Sequence, residues 1–169
     1  GEKKYDETVP SLVALLRYGS GVPMARIEEL QKAKGVPFPA TVQWELLEEA
    51  AAKIKAAHGE LIHQGAQGVL LMNDDTPMTI LAFKTELEKR KARGEPLPER
   101  TGTYTSGIVS KLPEGHQAVL YFTGQKHAGE NLAAVLAERA TGLDPPLQMC
   151  DGLNRNTPGK MKTILGNCL

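Results

Sequence analysis

Two aspartates that follow short apolar runs are the strongest candidates for chemistry in this sequence. Val69-Leu70-Leu71-Met72 is followed by Asn73 and Asp74, and Leu147-Gln148-Met149-Cys150 is followed by Asp151. A short apolar run bounded by turn residues is typical of a buried strand. If the two strands are parallel neighbours, both carboxylates lie at the same edge of a sheet. Carboxylate oxygens suit Mg²⁺, and two such ions support phosphodiester chemistry.

The same two aspartates also have a simpler interpretation. Aspartate is a common turn residue after a strand, and Asp151-Gly152 is a turn dipeptide whatever its function. The pattern alone therefore leaves both a metal site and ordinary turns open. Asp75 cannot share the site directly with Asp74, because neighbouring side chains of a strand point to opposite faces.

Other side chains have weaker cases for a functional role. His58 and His63 are five residues apart, about 140° around a helix, and are therefore expected to be surface residues and not a metal pair. Cys150 and Cys168 make no disulfide framework, suit a reducing compartment and are expected to be buried. Trp44 is expected to pack in the core or between helices.

Composition indicates a globular chain without the charge of a nucleic-acid binder. The 169 residues are 41% hydrophobic and 24% charged, and 20 Lys and Arg balance 20 Asp and Glu. No apolar run approaches the roughly 20 residues that span a bilayer, and the first residues lack the apolar core of a signal peptide. We therefore expect a cytoplasmic location and no membrane partner.

Hydrophobic periodicity divides the chain into residues 1–67 and 68–169. The first part has helical spacing, with helices predicted over 9–19, 23–35 and 42–61. These helices are compatible with a helix-turn-helix unit or with an ordinary helical hairpin, and the sequence leaves both open.

The second part has the pattern of strands joined by turns. Residues 79–83 are predicted to continue as an extended piece, and 84–100 to form a solvated insertion or a short surface helix. We expect an α/β fold, in which the helical segment precedes a mixed sheet with helices. The other predicted elements are a hairpin of strands 103–112 and 117–123, a helix over 129–140, and buried strands over 147–150 and 163–169.

Seven segments occur in order along the chain. They are RYGSGVP at 17–23, RIEELQ at 26–31, GVPFP at 35–39, LMNDDTPM at 71–78, TGTYTSGI at 101–108, FTGQKHAGENL at 122–132 and QMCDGL at 148–153. Together they resemble the central region of the insertion sequence 66 family of bacterial transposases. The resemblance covers nearly the whole chain from about Leu16 to Leu169, and the ordered series is far more specific than any single segment.

The resemblance implies an RNase H-like fold whose two aspartates and one glutamate bind Mg²⁺ or Mn²⁺. Carried over by position, Asp74 is the first catalytic acid and metal ligand, Asp151 is the second, and Asp75 is an outer-shell group that supports them. No Asp or Glu occurs between Gly152 and Leu169. In the family the third acid lies on a helix after the last strand, so we expect the sheet to be truncated and the chain to be a fragment with little activity alone.

The resemblance also implies the reaction and the partners. DDE-type transposases of this kind nick the transposon ends with water, and the freed 3′-hydroxyl then attacks target DNA. The expected partner is therefore DNA in the bacterial nucleoid, with no small-molecule substrate, and a homo-oligomer is compatible with this function. His127, Arg155 and Lys160 are candidate contacts to the DNA backbone.

Two other functions stay open at the level of the sequence. A different RNase H-like nuclease would need another third carboxylate, such as Asp75, and a positively charged groove. A noncatalytic remnant of a transposase would use residues 1–67 to bind DNA and leave the acids idle.

Overall fold

The computed structural model describes residues 4–167 and the side chains of residues 4–166. It is an α/β protein that divides into two compact units, the first ending at His58 and the second beginning at Gly59. The predicted division after residue 67 matches the change from helix to sheet, whereas the compact sheet unit begins earlier. The reason is that the last turns of the long third helix pack on the sheet, where Ala66 is fully buried and the Ser110 hydroxyl donates to the Gly65 carbonyl at 2.7 Å.

The first unit is helical, as the periodicity predicts. Helix α1 is Thr8–Ala14 and continues into a π-helical turn, Leu15–Gly19. Helix α2 is Met24–Ala33, and α3 is Ala40–Ala66, which is longer than predicted at both ends. The apolar core of this unit consists of buried residues from the helices and the turn between α2 and α3, namely Val13, Ile27, Phe38 and Leu47.

Trp44 is not in the core, contrary to the prediction. Its exposed fraction is 56%, whereas Gln43 and Leu47 are buried. Gln43 takes the inward position because its side-chain amide donates to the carbonyls of Met24 and Phe38, at 3.2 and 2.9 Å. A polar residue with two partners therefore occupies the inward-facing stripe, and Trp44 lies about 100° around the helix from it.

The second unit is a five-stranded mixed sheet of order β3-β2-β1-β4-β5. Strands β1, β2 and β3 are antiparallel neighbours, while β4 is parallel to both β1 and β5. Helix α4 lies between β1 and β2 in the chain, and α5 lies between β3 and β4. The elements are β1 (Leu70–Pro77), α4 (Leu81–Ala92), β2 (Tyr104–Lys111), β3 (Gln117–Gly124), α5 (Ala128–Leu136), β4 (Leu147–Cys150), a 3-10 turn (Asn154–Asn156) and β5 (Ile164–Asn167).

The two faces of the sheet differ in burial. One face packs against α5 and the end of α3, and its core includes Leu71, Ile108, Leu120 and Leu132, each at most 1% exposed. The opposite face carries large apolar side chains in solvent, including Val119, Tyr121, Leu147, Met149 and Ile164. The hairpin, α5 and β4 were predicted, and α5 ends four residues earlier than expected.

Three sequence predictions for this unit are wrong. Strand β1 does not stop at Asn73 but runs through Asp74 and Asp75 to Pro77, because it pairs with β2 along its whole length. Residues 81–83 begin helix α4 and do not form an extended piece. The last strand, β5, lies at the edge of the sheet, and Ile164 and Leu165 are 54% and 49% exposed.

The burial pattern of α4 shows why its first residues were wrongly predicted to be extended. The apolar residues at its start suggested a strand, but the half-buried side chains recur at helical spacing, at Phe83, Glu86, Leu87 and Arg90. No residue of α4 is buried, and Glu86 pairs with Arg90 four residues later at 3.1 Å. It is the surface helix that was one of the two predictions for residues 84–100.

Two further observations complete the fold. Among the residues that the structure describes, no helix is both long and apolar enough to cross a membrane. The predicted burial of Cys168 concerns a residue outside this part of the chain, whereas Cys150 is buried as predicted.

Candidate functional site

Strands β1 and β4 carry or precede the two candidate acids. The strands are parallel neighbours, as the conditional prediction from the two apolar runs required, and their register pairs Leu70 with Leu147 and Met72 with Met149. The pairing ends there, and Asp74 and Asp151 each come two residues after the last pair in the chain. Asp74 lies inside β1, whereas Asp151 directly follows β4.

Asp74 is exposed on the sheet face opposite α5. The burial of β1 alternates, so that Leu71 and Asn73 are buried while Asp74 points to the other side. Its Oδ1 accepts a hydrogen bond from the Asp75 backbone N–H at 2.7 Å. Within the described residues, Oδ2 has no hydrogen-bond partner and the carboxylate has no cationic partner.

Asp151 is exposed and held by the turn that follows it. Its Oδ1 accepts hydrogen bonds from the Leu153 backbone N–H at 3.1 Å and from Asn156 Nδ2 at 2.6 Å. The Leu153 N–H and then the Asn156 amide hold the pKa of the Asp151 carboxyl below its usual value, because both bonds favour the ionised form. The carboxylate is therefore negative at neutral pH, and its Oδ2 has no hydrogen bond from the described part of the chain.

This pair of carboxylates fits a divalent cation by its chemistry. Both are hard oxygen donors, both have one oxygen without a hydrogen bond, and neither forms an ion pair with a lysine or arginine of residues 4–167. The charge of Arg155 contributes to the lowered pKa of the Asp151 carboxyl, and carboxylate oxygens without an ion pair favour a bound cation. Within those residues no group of three or more His, Cys, Asp or Glu side chains could hold a metal ion.

A network of buried amides lies behind the two acids. Asn73 Nδ2 and Gln148 Nε2 both donate to the Asn156 carbonyl at 2.8 Å, and Gln148 Nε2 also donates to Asn73 Oδ1 at 2.8 Å. All three side chains are at most 4% exposed. The network joins β1, β4 and the 3-10 turn at the level of Asp74 and Asp151.

Asp75 belongs to a second buried network, on the face of the sheet that packs against α5. Its side chain is only 2% exposed, and it accepts a hydrogen bond from Ser106 of β2 at 2.7 Å. Its other oxygen lies 2.8 Å from Nδ1 of His127. Asn131 of α5 donates to the Ser106 hydroxyl at 2.8 Å. A nuclease that used Asp75 as its third carboxylate would need Asp75 beside Asp74, and the structure puts the two on opposite faces.

His127 is the N-cap residue of helix α5, and its role as a contact to DNA stays a prediction. It is the residue before α5, its side chain is 25% exposed, and it pairs with Asp75. The ring of Tyr104 lies against the imidazole, with 4.3 Å between the ring centroids. These contacts assign His127 a place in the packing of α5 on β1 and β2.

The other candidate residues lie on the surface. Arg155 is in the 3-10 turn after Asp151 and Lys160 follows that turn, and both are exposed. His58 and His63 are exposed as predicted. Arg155 and Lys160 therefore stay predictions as contacts to DNA.

Sequence reasoning missed the residues that hold the acids in place. Gln148 offered one signal, because a polar residue at an inward-facing position of an apolar strand must find a buried partner. Asn156, Ser106 and Asn131 offered no such signal, because these hydrogen bonds join distant parts of the chain. Asn131 and Ser106 are 25 residues apart, and Asn156 and Asn73 are 83 apart.

Comparison with known proteins does not assign this chain to a family. No protein-family model matches the sequence, and no curated protein matches it either.

Proposed function

We propose that this chain is the central, catalytic part of a DDE-type DNA transposase of the insertion sequence 66 family. The observation that carries the proposal is the parallel pairing of β1, which contains Asp74, with β4, which Asp151 directly follows. The ordered sequence segments support the family, and the exposure of both carboxylates supports the metal-binding chemistry.

The topology of the sheet supports an RNase H-like fold as part of this proposal. A three-stranded antiparallel meander comes first, a helix crosses over after β3, and two parallel strands follow on the other side of β1. Ligand sites of such sheets favour the carboxyl ends of parallel strands, next to the point where strand order reverses. Asp74 lies on one of the two strands that meet there, β1, and Asp151 directly follows the other, β4.

In the proposed reaction this chain supplies two of three acids. Asp74 and Asp151 would bind Mg²⁺ or Mn²⁺ through their carboxylate oxygens. Such ions, when bound, activate an attacking oxygen and stabilise a leaving one in phosphodiester cleavage and strand transfer. The third acid, by the resemblance, lies outside the 169 residues, so we expect weak metal binding and little activity from the chain alone.

Metal binding by aspartate variants tests the proposal. Titration with Mn²⁺, followed by electron paramagnetic resonance, should show binding to the unaltered chain and its loss in Asp74→Ala and in Asp151→Ala. Glu114→Ala, which removes an exposed carboxylate in the β2–β3 turn, is the control and should bind as the unaltered chain does. Unchanged binding in both aspartate variants would overturn the assignment of the site.

A further inference from the structure

Asn156 is the only fully buried side chain of the 3-10 turn that follows Asp151. It is 0% exposed, whereas Asn154 and Arg155 in the same turn are exposed. Its Nδ2 donates to Asp151 Oδ1 at 2.6 Å, a short bond of the charge-assisted kind. The buried amide of Asn156 therefore contacts Asp151, whereas Asn154 is exposed to solvent.

The backbone carbonyl of Asn156 is hydrogen-bonded to residues of both β1 and β4. Its carbonyl accepts hydrogen bonds from Asn73 of β1 and from Gln148 of β4, each at 2.8 Å. Asn73 directly precedes Asp74 in β1. Gln148 is itself held, because Thr163 donates to its Oε1 at 2.8 Å. Asn156 is thus hydrogen-bonded both to Asn73, which precedes Asp74, and to Asp151.

The start of helix α5 lies against the same turn. A Cβ placed on Gly129 would lie 2.1 Å from the Thr157 carbonyl oxygen and 2.7 Å from that of Arg155. The turn is therefore confined between the start of α5 and the sheet, and Asn156 has little room to reorient.

The Asn156 side chain uses only one of its two polar groups. Asn156 Oδ1 is buried without a hydrogen-bond partner among the described residues. A buried oxygen without a partner is unfavourable for folding. The side chain gains a partner through its NH₂ group only, and that partner is the Asp151 carboxylate.

We propose that Asn156 is a positioning residue, which holds the Asp151 carboxylate in one orientation for binding a divalent cation. The inference rests on the proposed function, because it presumes that the two acids bind a metal. Residues that orient metal ligands from behind commonly change metal affinity by about 10- to 100-fold when they are replaced.

A pair of asparagine variants in the full chain tests the inference. Asn156→Ala should weaken Mn²⁺ binding about tenfold or more, whereas Asn154→Ala, the same change two residues earlier, should leave it unaltered. Circular dichroism and thermal unfolding establish that each variant is folded at the temperature of the titration. A folded Asn156→Ala variant that binds Mn²⁺ as well as the unaltered chain would overturn the role of Asn156.

A second measurement requires no variant of Asn156. In ¹⁵N nuclear magnetic resonance spectra of the unaltered chain, the side-chain amide signals of Asn156 should move as Mg²⁺ is added, and those of Asn154 should stay. Fixed Asn156 signals during saturable Mg²⁺ binding would contradict the inference. The proposed function fails separately, if Asp74→Ala and Asp151→Ala both bind Mn²⁺ like the unaltered chain.

Discussion

Glu130 combines two stabilising contacts at the start of α5. Its carboxylate accepts the His127 backbone N–H at 3.0 Å and pairs with Arg100 at 2.5 Å. Arg100, and then the His127 N–H, hold the pKa of the Glu130 carboxyl below its ordinary value. A lowered pKa means that the folded state favours the ionised carboxylate. Its contribution is therefore present above the pKa of the unfolded state and is lost as pH falls through the pKa of the folded state.

We expect Glu130→Gln to destabilise the chain at neutral pH and not in acid. The loss should be about 0.5–1 kcal/mol at pH 7, since the ion pair is largely exposed and a charge at a helix start is worth about that much. Urea unfolding at pH 7 and near pH 3 measures it. Glu114→Gln in the β2–β3 turn is the control, and a loss that persists at pH 3 would contradict the assignment to an ionised carboxylate.

Helix α5 and the turn after Asp151 meet closely where α5 begins. Gly129 has no side chain to keep it from the carbonyls of Arg155 and Thr157, and the turn after Asp151 lies against it. A Cβ at this point would meet backbone atoms, which cannot rotate out of the way as the end of a side chain can.

Gly129→Ala should therefore destabilise the chain, although alanine favours helices. The expected loss is about 1–3 kcal/mol, the usual cost of overpacking a tight contact. Gly124→Ala is the matched control, because a Cβ at Gly124 has nothing within 4 Å. Thermal unfolding of the two variants decides the point, and equal melting temperatures would show that the turn shifts at no cost.

Prediction from the sequence succeeded for helices and strands whose buried residues recur at a regular spacing. Strand β4 was predicted at its observed bounds, since its apolar residues are followed by a turn dipeptide. Strand β1 was predicted to be too short, because Asn73 and Asp75 are polar residues that face the interior and are stabilised by partners on other elements. The two apolar runs that form the paired parts of β1 and β4 could be recognised from local pattern. The amides that hold the acids could not, because their bonds join residues up to 83 apart in the chain.

At the scale of the whole molecule, the uncovered face of the sheet is the main feature. Tyr121 is 68% exposed, Leu147 49% and Met149 37%, and they lie on β3 and β4 of the same sheet. Exposed apolar side chains on one face of a sheet promote association in water.

We expect the chain to self-associate as its concentration rises, and a charge on this face to reduce the effect. Tyr121→Lys and Met149→Lys should each lower the association measured by light scattering, because a lysine carries its charge into the apolar surface. Leu81→Lys is the control: Leu81 is 75% exposed and belongs to helix α4, not to the sheet. Equal association of all three variants would exclude the sheet face as the surface responsible.

Helix α3 has a practical consequence for anyone who wishes to produce the sheet unit by itself. The compact unit begins at Gly59, but the helix that enters its core begins at Ala40. A gene cut at codon 59 would leave two turns of helix without the preceding residues, and isolated helices that short are marginal in water. A gene cut just before codon 40 would express those two turns, which carry Ala66 and the Gly65 carbonyl, as the end of a complete helix.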